Sequence, residues 1–205
     1  MTALAVAVPI LFATRRGVTV ADLGLSREIL RRPAQGLRIA AWASLALILG
    51  GVAITALSSR HFPFPARTGP NLLVELLHSL QAGPLEEIVV LGFVVTTLQQ
   101  AKRPTLEIVV VALVLRDAFH LYYGLGALGI FVWASIFLWL FLRFRTLVPL
   151  IVVHSLWDIF GVLAKYWRPV GGIEFLLIVL LWIAGTITWI SQRSSNKPVV
   201  YVTRR

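Results

Sequence analysis

Cysteine is absent from all 205 residues. That excludes disulfides, thiolate metal sites, a cysteine nucleophile and any lipid attached through sulfur. Acidic residues are scarce: nine Asp and Glu stand against 19 Lys and Arg, for a formal net charge of +10. In a soluble protein that balance would point to nucleic acid. Here no basic patch with interleaved aromatics exists and the cations lie mostly between apolar runs, so they report membrane topology, and nucleic acid is not an expected partner. Charged residues make up only 14% of the chain and hydrophobic ones 58%, with a mean hydropathy of +0.85. This composition belongs to an all-α, polytopic transmembrane bundle with the lipid bilayer as its solvent, read as a single membrane domain over residues 1–205. The excess of Arg over Lys points to a bacterial source, and so to the plasma membrane.

A spanning helix needs about 20 largely apolar residues. Ile39–Leu57, Pro84–Leu98, Thr105–His120, Ala127–Leu142, Leu147–Ala164 and Gly171–Ile190 are the runs that approach this, which gives about six spans. Thr2–Thr14 is apolar but too short to cross, lacks the marks of a secretory signal, and reads as the tail of a longer helix. Arg15–Arg38 reads as a solvated basic arm, in which Thr19 and Asp22 have capping-box spacing for a short surface helix. Ser58–Asn71, with Pro63, Pro65 and Pro70, is expected to be an irregular loop. Leu72–Gln81 has helical periodicity and then meets Gly83-Pro84, as an interfacial helix or the first half of a broken span would.

Threading six spans alternately places 14 Lys and Arg residues on one side and four on the other, with Arg116 inside a span. The positive-inside rule then puts the C-terminus in the cytoplasm. The same threading sets Glu86 near the far-side start of its helix and brings His120, His154 and Asp158 to a similar depth.

Ionisable residues within apolar runs are the informative exception. An Asp, Lys or Arg at the bilayer centre costs roughly 2.5–3.5 kcal/mol on insertion scales, so several on neighbouring helices imply a shared polar cavity. The set comprises Glu86, Glu87, Arg116, Asp117, His120, His154 and Asp158. Residues four apart share a helix face, so His154 projects with Asp158 and Arg116 with His120. Glu86 and Glu87 differ by about 100° in an α-helix, so only one can point squarely into a site. A carboxylate with two imidazoles can activate water and stabilise an oxyanion, which is what amide hydrolysis requires. Asp117 and Tyr122 are expected to support the site or to sit at the interface. The seven Trp residues read as belt or packing residues.

Three blocks carry a resemblance: Glu86-Glu87-Ile-Val-Val-Leu-Gly92-Phe93, Arg116-Asp-Ala-Phe-His120-Leu-Tyr122-Tyr-Gly124, and His154-Ser-Leu-Trp-Asp158. In this order on successive apolar helices they resemble the EExxxRG, FxxxH and HxxxN/D motifs of the CPBP family. These are the CAAX-protease and bacteriocin-processing intramembrane proteases related to the type II CAAX prenyl endopeptidase Rce1, and the resemblance covers roughly residues 72–164. It implies an endopeptidase acting on a peptide or membrane-protein substrate. Glu86 matches the glutamate that activates water, His120 the histidine that assists it, and His154 with Asp158 the pair proposed to bind the oxyanion. The resemblance favours a mechanism without a cofactor. The alternative is zinc held by Glu86, His120 and His154, a ligand count that suits a catalytic site with one open position, although no HExxH helix is present.

Two departures from the motifs stand out. Leu91 replaces the first motif's arginine, and Arg116 stands where the second usually has an aromatic, so Arg116 is expected to restore the missing charge from the neighbouring helix. Asp158 replaces the commoner asparagine, and an ionised carboxylate cannot donate to an oxyanion; it is expected to orient His154 instead. Two non-protease readings use the same residues. One is an immunity or scaffold membrane protein that keeps the pocket without activity, and the other is a small proton-coupled transporter, against which no inverted repeat is visible.

Overall fold

The structure, a computed structural model, describes residues 11, 15, 17–26, 29, 31–58 and 71–195, with residues 192–195 described by their backbone alone. Apart from Leu11, the apolar segment Thr2–Thr14 lies outside these residues, as do positions 59–70 of the Pro-rich loop and the tail from 196 onward.

Every regular element among the described residues is helical. Helix α1 (Pro33–Ser58) opens on a proline, whose missing N–H costs nothing in the first turn. Helix α2 (Leu72–Glu86) is capped by Asn71, whose side-chain oxygen accepts from the Leu73 amide at 2.9 Å. After Glu86 the turn widens into a π-helical segment, Glu87–Val95, and returns to α geometry in α3 (Thr96–Gln100). Helix α4 (Thr105–Ala118) leads through a 3-10 segment, Leu121–Gly129, into α5 (Ile130–Phe144). Helices α6 (Val148–Tyr166) and α7 (Pro169–Ser195) complete the bundle.

All six apolar runs are helical, and five helical stretches are long and apolar enough to cross a membrane: Pro33–Ser58, Leu72–Gln100, Leu121–Phe144, Val148–Tyr166 and Pro169–Ser191. The exception is α4, whose 14 residues span roughly 21 Å at 1.5 Å per residue, short of a full crossing.

Gly83-Pro84 does not break the chain, contrary to the expectation from sequence; Leu72–Gln100 is one continuous 29-residue unit. The reason lies on α6. Pro84 has no N–H to give the Leu80 carbonyl, and that carbonyl instead accepts from Ser155 Oγ at 3.4 Å. Gly83 makes room for this: a Cβ there would strike Ser155 Oγ and stand 2.8 Å from the Ile151 carbonyl oxygen. Gly83→Ala is therefore expected to cost about 1–3 kcal/mol by overpacking, seen as a lower midpoint of thermal unfolding in detergent. Gly161→Ala, on the same α6 with open space around the added Cβ, is the control that should not destabilise. Continuity of this unit also moves Glu86. It is the fifteenth residue of the 29, about 21 Å along the helix from Leu72, rather than near the helix start.

Helix α1 runs through the middle of the bundle and packs on α5, the 3-10 segment, α6 and α7, while α2 lies along α6. Small residues set the closest approaches, as is usual between membrane helices. A Cβ on Gly129 would collide with the α1 backbone at Ile54, and one on Gly50 would collide with the Trp133 ring.

Among the described residues the connector before α1 is solvated only in part, because one turn of it docks on the bundle. Thr19 and Asp22 do form the expected reciprocal box, with the Thr19 amide donating to Asp22 Oδ2 at 2.7 Å and the Asp22 amide to Thr19 Oγ1 at 3.1 Å. These bonds, led by that of the Thr19 hydroxyl, hold the Asp22 carboxyl below its ordinary pKa. Yet the box closes a turn rather than starting a helix, because the chain reverses at Gly24 with φ +82°. Val18 and Leu23 are buried against Phe93, and the Gly24 carbonyl accepts from the Leu147 amide at 2.8 Å. Arg145 fastens the same turn: it ends α5 in the left-handed region (φ 53°) and donates to the Asp22 carbonyl at 3.0 Å and to Gln99 Oε1 at 2.6 Å.

Candidate active site

Four elements converge on one buried polar cluster. Glu86 ends α2, Glu87 opens the π-helical segment, Arg116 lies in the last turn of α4 with His120 just beyond it, and His154 and Asp158 share a face of α6. The wide turn at Glu87 separates the two glutamates. Glu87 is wholly buried, whereas the Glu86 side chain keeps 17% of its surface. π-helical turns inside α-helices occur frequently at functional sites.

Arg116 holds both carboxylates. Its Nη1 donates to Glu86 Oε2 at 2.9 Å and its Nη2 to Glu87 Oε2 at 2.7 Å, and its guanidinium stacks 5.0 Å from the centroid of Trp133. The fixed fork of a guanidinium suits this use, since one planar cation can orient two acceptors at once. Leu91, where the family motif has arginine, is buried in the apolar core.

Hydrogen bonding sets the tautomers of the two histidines. His120 Nδ1 stands 2.9 Å from the Arg116 carbonyl oxygen, which can only accept, so Nδ1 carries the proton and Nε2 faces Glu86 Oε2 at 3.8 Å. His154 Nδ1 donates to Glu87 Oε1 at 2.7 Å, and its Nε2 faces Asp158 Oδ2 at 3.7 Å. Both oxygens of Glu87 are thus committed, one to Arg116 and one to His154. Separations of 3.7–3.8 Å on the other two pairs are too long for direct hydrogen bonds and suit a bridging water.

The cluster therefore has two layers. Glu87, Arg116 and the Nδ1 edge of His154 form a closed, fully buried layer. Glu86 and Asp158, whose side chains keep 17% and 32% of their surface, form the more accessible one, and the Nε2 atoms of the two histidines face them. Asp117 does not join them: its Oδ1 is buried without a hydrogen-bond partner among the described residues. Tyr123 stacks on His120 with ring centroids 5.9 Å apart, and Tyr122 is largely exposed at the rim.

Trp133 is the residue that the sequence reading undervalued. Its buried ring is the floor of the cluster, 5.2 Å from His154 and 6.1 Å from His120 by centroids, as well as beneath Arg116. No spacing rule marks it among the other Trp residues; Gly50 on α1 leaves the room that its ring occupies.

Residues 68–160, which hold all three blocks, match the family model of the type II CAAX prenyl endopeptidase Rce1-like proteins. The segment that carries the site is Rce1-like. The family takes its description from an endopeptidase, and with its spanning helices this Rce1-like chain is an integral membrane protein. No curated protein and no solved structure matches it.

Proposed function

We propose that this Rce1-like protein is an intramembrane endopeptidase in which Glu86, with His120, activates the water that attacks the scissile carbonyl. The observation that carries this is the 3.8 Å gap between Glu86 Oε2 and the unprotonated Nε2 of His120, at the accessible edge of an otherwise closed cluster. A water there meets two acceptors, and the carboxylate can take its proton as the oxygen attacks. His154, protonated on both nitrogens, gives one hydrogen to Glu87 and offers Nε2–H to the developing oxyanion. Asp158, as an acceptor, orients that imidazole. The leaving amine regains its proton from the glutamic acid formed in the first step.

The donor set argues against zinc in this reading. Glu86 Oε2 is held by a guanidinium at 2.9 Å, a cation beside which a second one is disfavoured. Moreover, no three His, Asp or Glu side chains among the described residues are grouped to hold a metal ion. We therefore derive no step through a metal.

The substrate class is a peptide or membrane protein reached within the bilayer. The membrane is the bacterial plasma membrane with the C-terminus cytoplasmic, supported by the uneven distribution of Lys and Arg when α4 is counted as a crossing. One membrane domain with a protease core over about residues 72–164 accommodates all of this. Purified protein in liposomes should cleave members of a peptide library, and Glu86→Ala or His154→Ala should not. Metal analysis of the active preparation should find no stoichiometric zinc. Proton flux without cleavage would select a transporter, and neither activity would select an inactive scaffold.

A further inference from the structure

One cavity lies away from the cluster, between α1 and α7. It has a volume of about 300 Å³ and is lined by Arg38, Ala41, Trp42, Trp182, Gly185 and Trp189, among others. Its walls are mostly apolar, with Arg38 and Thr186 the polar side chains among them. Gly185 explains its shape: an added Cβ there would stand 3.3 Å from the Ala41 Cβ, so the helices touch at small residues while the large rings spread on either side. Trp42 and Trp182 meet edge to face at 5.6 Å across the groove.

Arg38 is the charged residue among these walls. It is half-buried, and its Nε donates to the Ala34 carbonyl at 3.3 Å. That bond fixes the guanidinium, and among the described residues its terminal nitrogens have no partner. A guanidinium held at the rim of an apolar trough beside three indoles is built for an amphiphile with an anionic head. The paired N–H groups fit a phosphate, the indoles wall the trough, and the trough takes a chain. Arg31 and Arg32 stand exposed on the approach to α1 and add positive charge at the same end of the bundle. Helix α7 is otherwise little covered by protein, with 11% of its spanning window buried, so lipid reaches the groove from the side.

We propose that this groove is a binding site for an anionic phospholipid, with the phosphate on Arg38 and an acyl chain lying between α1 and α7. It is independent of the catalytic reading, since none of the residues lining it belongs to the polar cluster. A bound lipid tightens the seam that holds α7 to α1.

The test uses the full chain reconstituted in phosphatidylcholine vesicles, with either phosphatidylglycerol or phosphatidylcholine brominated on the acyl chains. Brominated phosphatidylglycerol should quench tryptophan emission in excess of the zwitterionic lipid, with a preference of about fivefold, the scale of one basic residue near an anionic surface. Arg38→Gln should remove that excess and Arg38→Lys should keep part of it. Trp182→Phe should lower it, and Arg31→Gln should leave it in place. Added inorganic phosphate, which cannot fill the trough, should not compete. Equal quenching by the two lipids overturns the proposal, as does an excess that survives Arg38→Gln, falls equally with Arg31→Gln, or is abolished by free phosphate. A misfolded Arg38→Gln protein would be recognised by its near-ultraviolet circular dichroism, and the Arg38→Lys and Trp182→Phe arms then decide.

Discussion

Glu86→Gln is expected to abolish cleavage while leaving the protein folded, and Glu87→Gln to do the reverse, unfolding the bundle before chemistry can be assayed. The two residues are adjacent in sequence and differ in burial. Glutamine at 86 keeps an oxygen to accept from Arg116 Nη1, so the 2.9 Å bond survives, and the partly exposed amide nitrogen can reach solvent. What is lost is the base. General-base catalysis contributes about 10²–10⁴-fold, so turnover should fall by at least that range with thermal stability little changed. At 87 both carboxylate oxygens accept inside a dry layer, from Arg116 at 2.7 Å and His154 at 2.7 Å. An amide turns one acceptor into a donor that faces a donor. Disrupting a buried charge pair in this way costs about 3–5 kcal/mol, a large fraction of the roughly 5–15 kcal/mol that holds a typical domain together. Cleavage rates and thermal melts of the two variants in the same detergent check the assignment. A folded but inactive Glu87→Gln beside a fully active Glu86→Gln would exchange their roles.

That distinction shows what the sequence could and could not disclose. Carboxylates and imidazoles within apolar runs advertise a polar site, because nothing else repays their insertion, and helical spacing pairs His154 with Asp158 and Arg116 with His120 correctly. Which glutamate faces the cavity depends on a π-helical turn after Glu86, and no residue pattern announces that geometry. The continuity of Leu72–Gln100 is hidden for a similar reason: the partner that rescues the carbonyl freed by Pro84 is Ser155, 75 positions away from Leu80. The connector reads as polar because its apolar residues are few. Val18 and Leu23 nonetheless find a pocket beside Phe93, and Arg145, countable from sequence only as a topological charge, ties the turn down. Local periodicity reports which face of a helix is apolar; it is silent on which distant backbone atom that face will meet.

Arg116→Leu should inactivate the protein, and adding Leu91→Arg should restore part of what was lost. The single change leaves the carboxylate of Glu87, wholly buried, with His154 as its remaining partner. It also frees Glu86 from the contact that fixes its rotamer. Removing one member of a buried ion pair costs about 3–5 kcal/mol, and a loose base would compound that through lost positioning. Leu91 lies four residues after Glu87 on the same π-helical segment and is as buried as Arg116. A guanidinium there approaches the carboxylates from their own helix, while leucine at 116 can pack on Trp133 and fill part of the vacated volume. Recovery should be partial, because a cation at 91 cannot use the α4 backbone for support and must displace apolar neighbours. The informative readout is the split between kcat and KM together with the melting midpoint. Return of the midpoint without kcat would make the arginine a purely structural charge, return of both would make it a positioning residue for Glu86, and return of neither would show that Arg116 does not stand in for the motif cation.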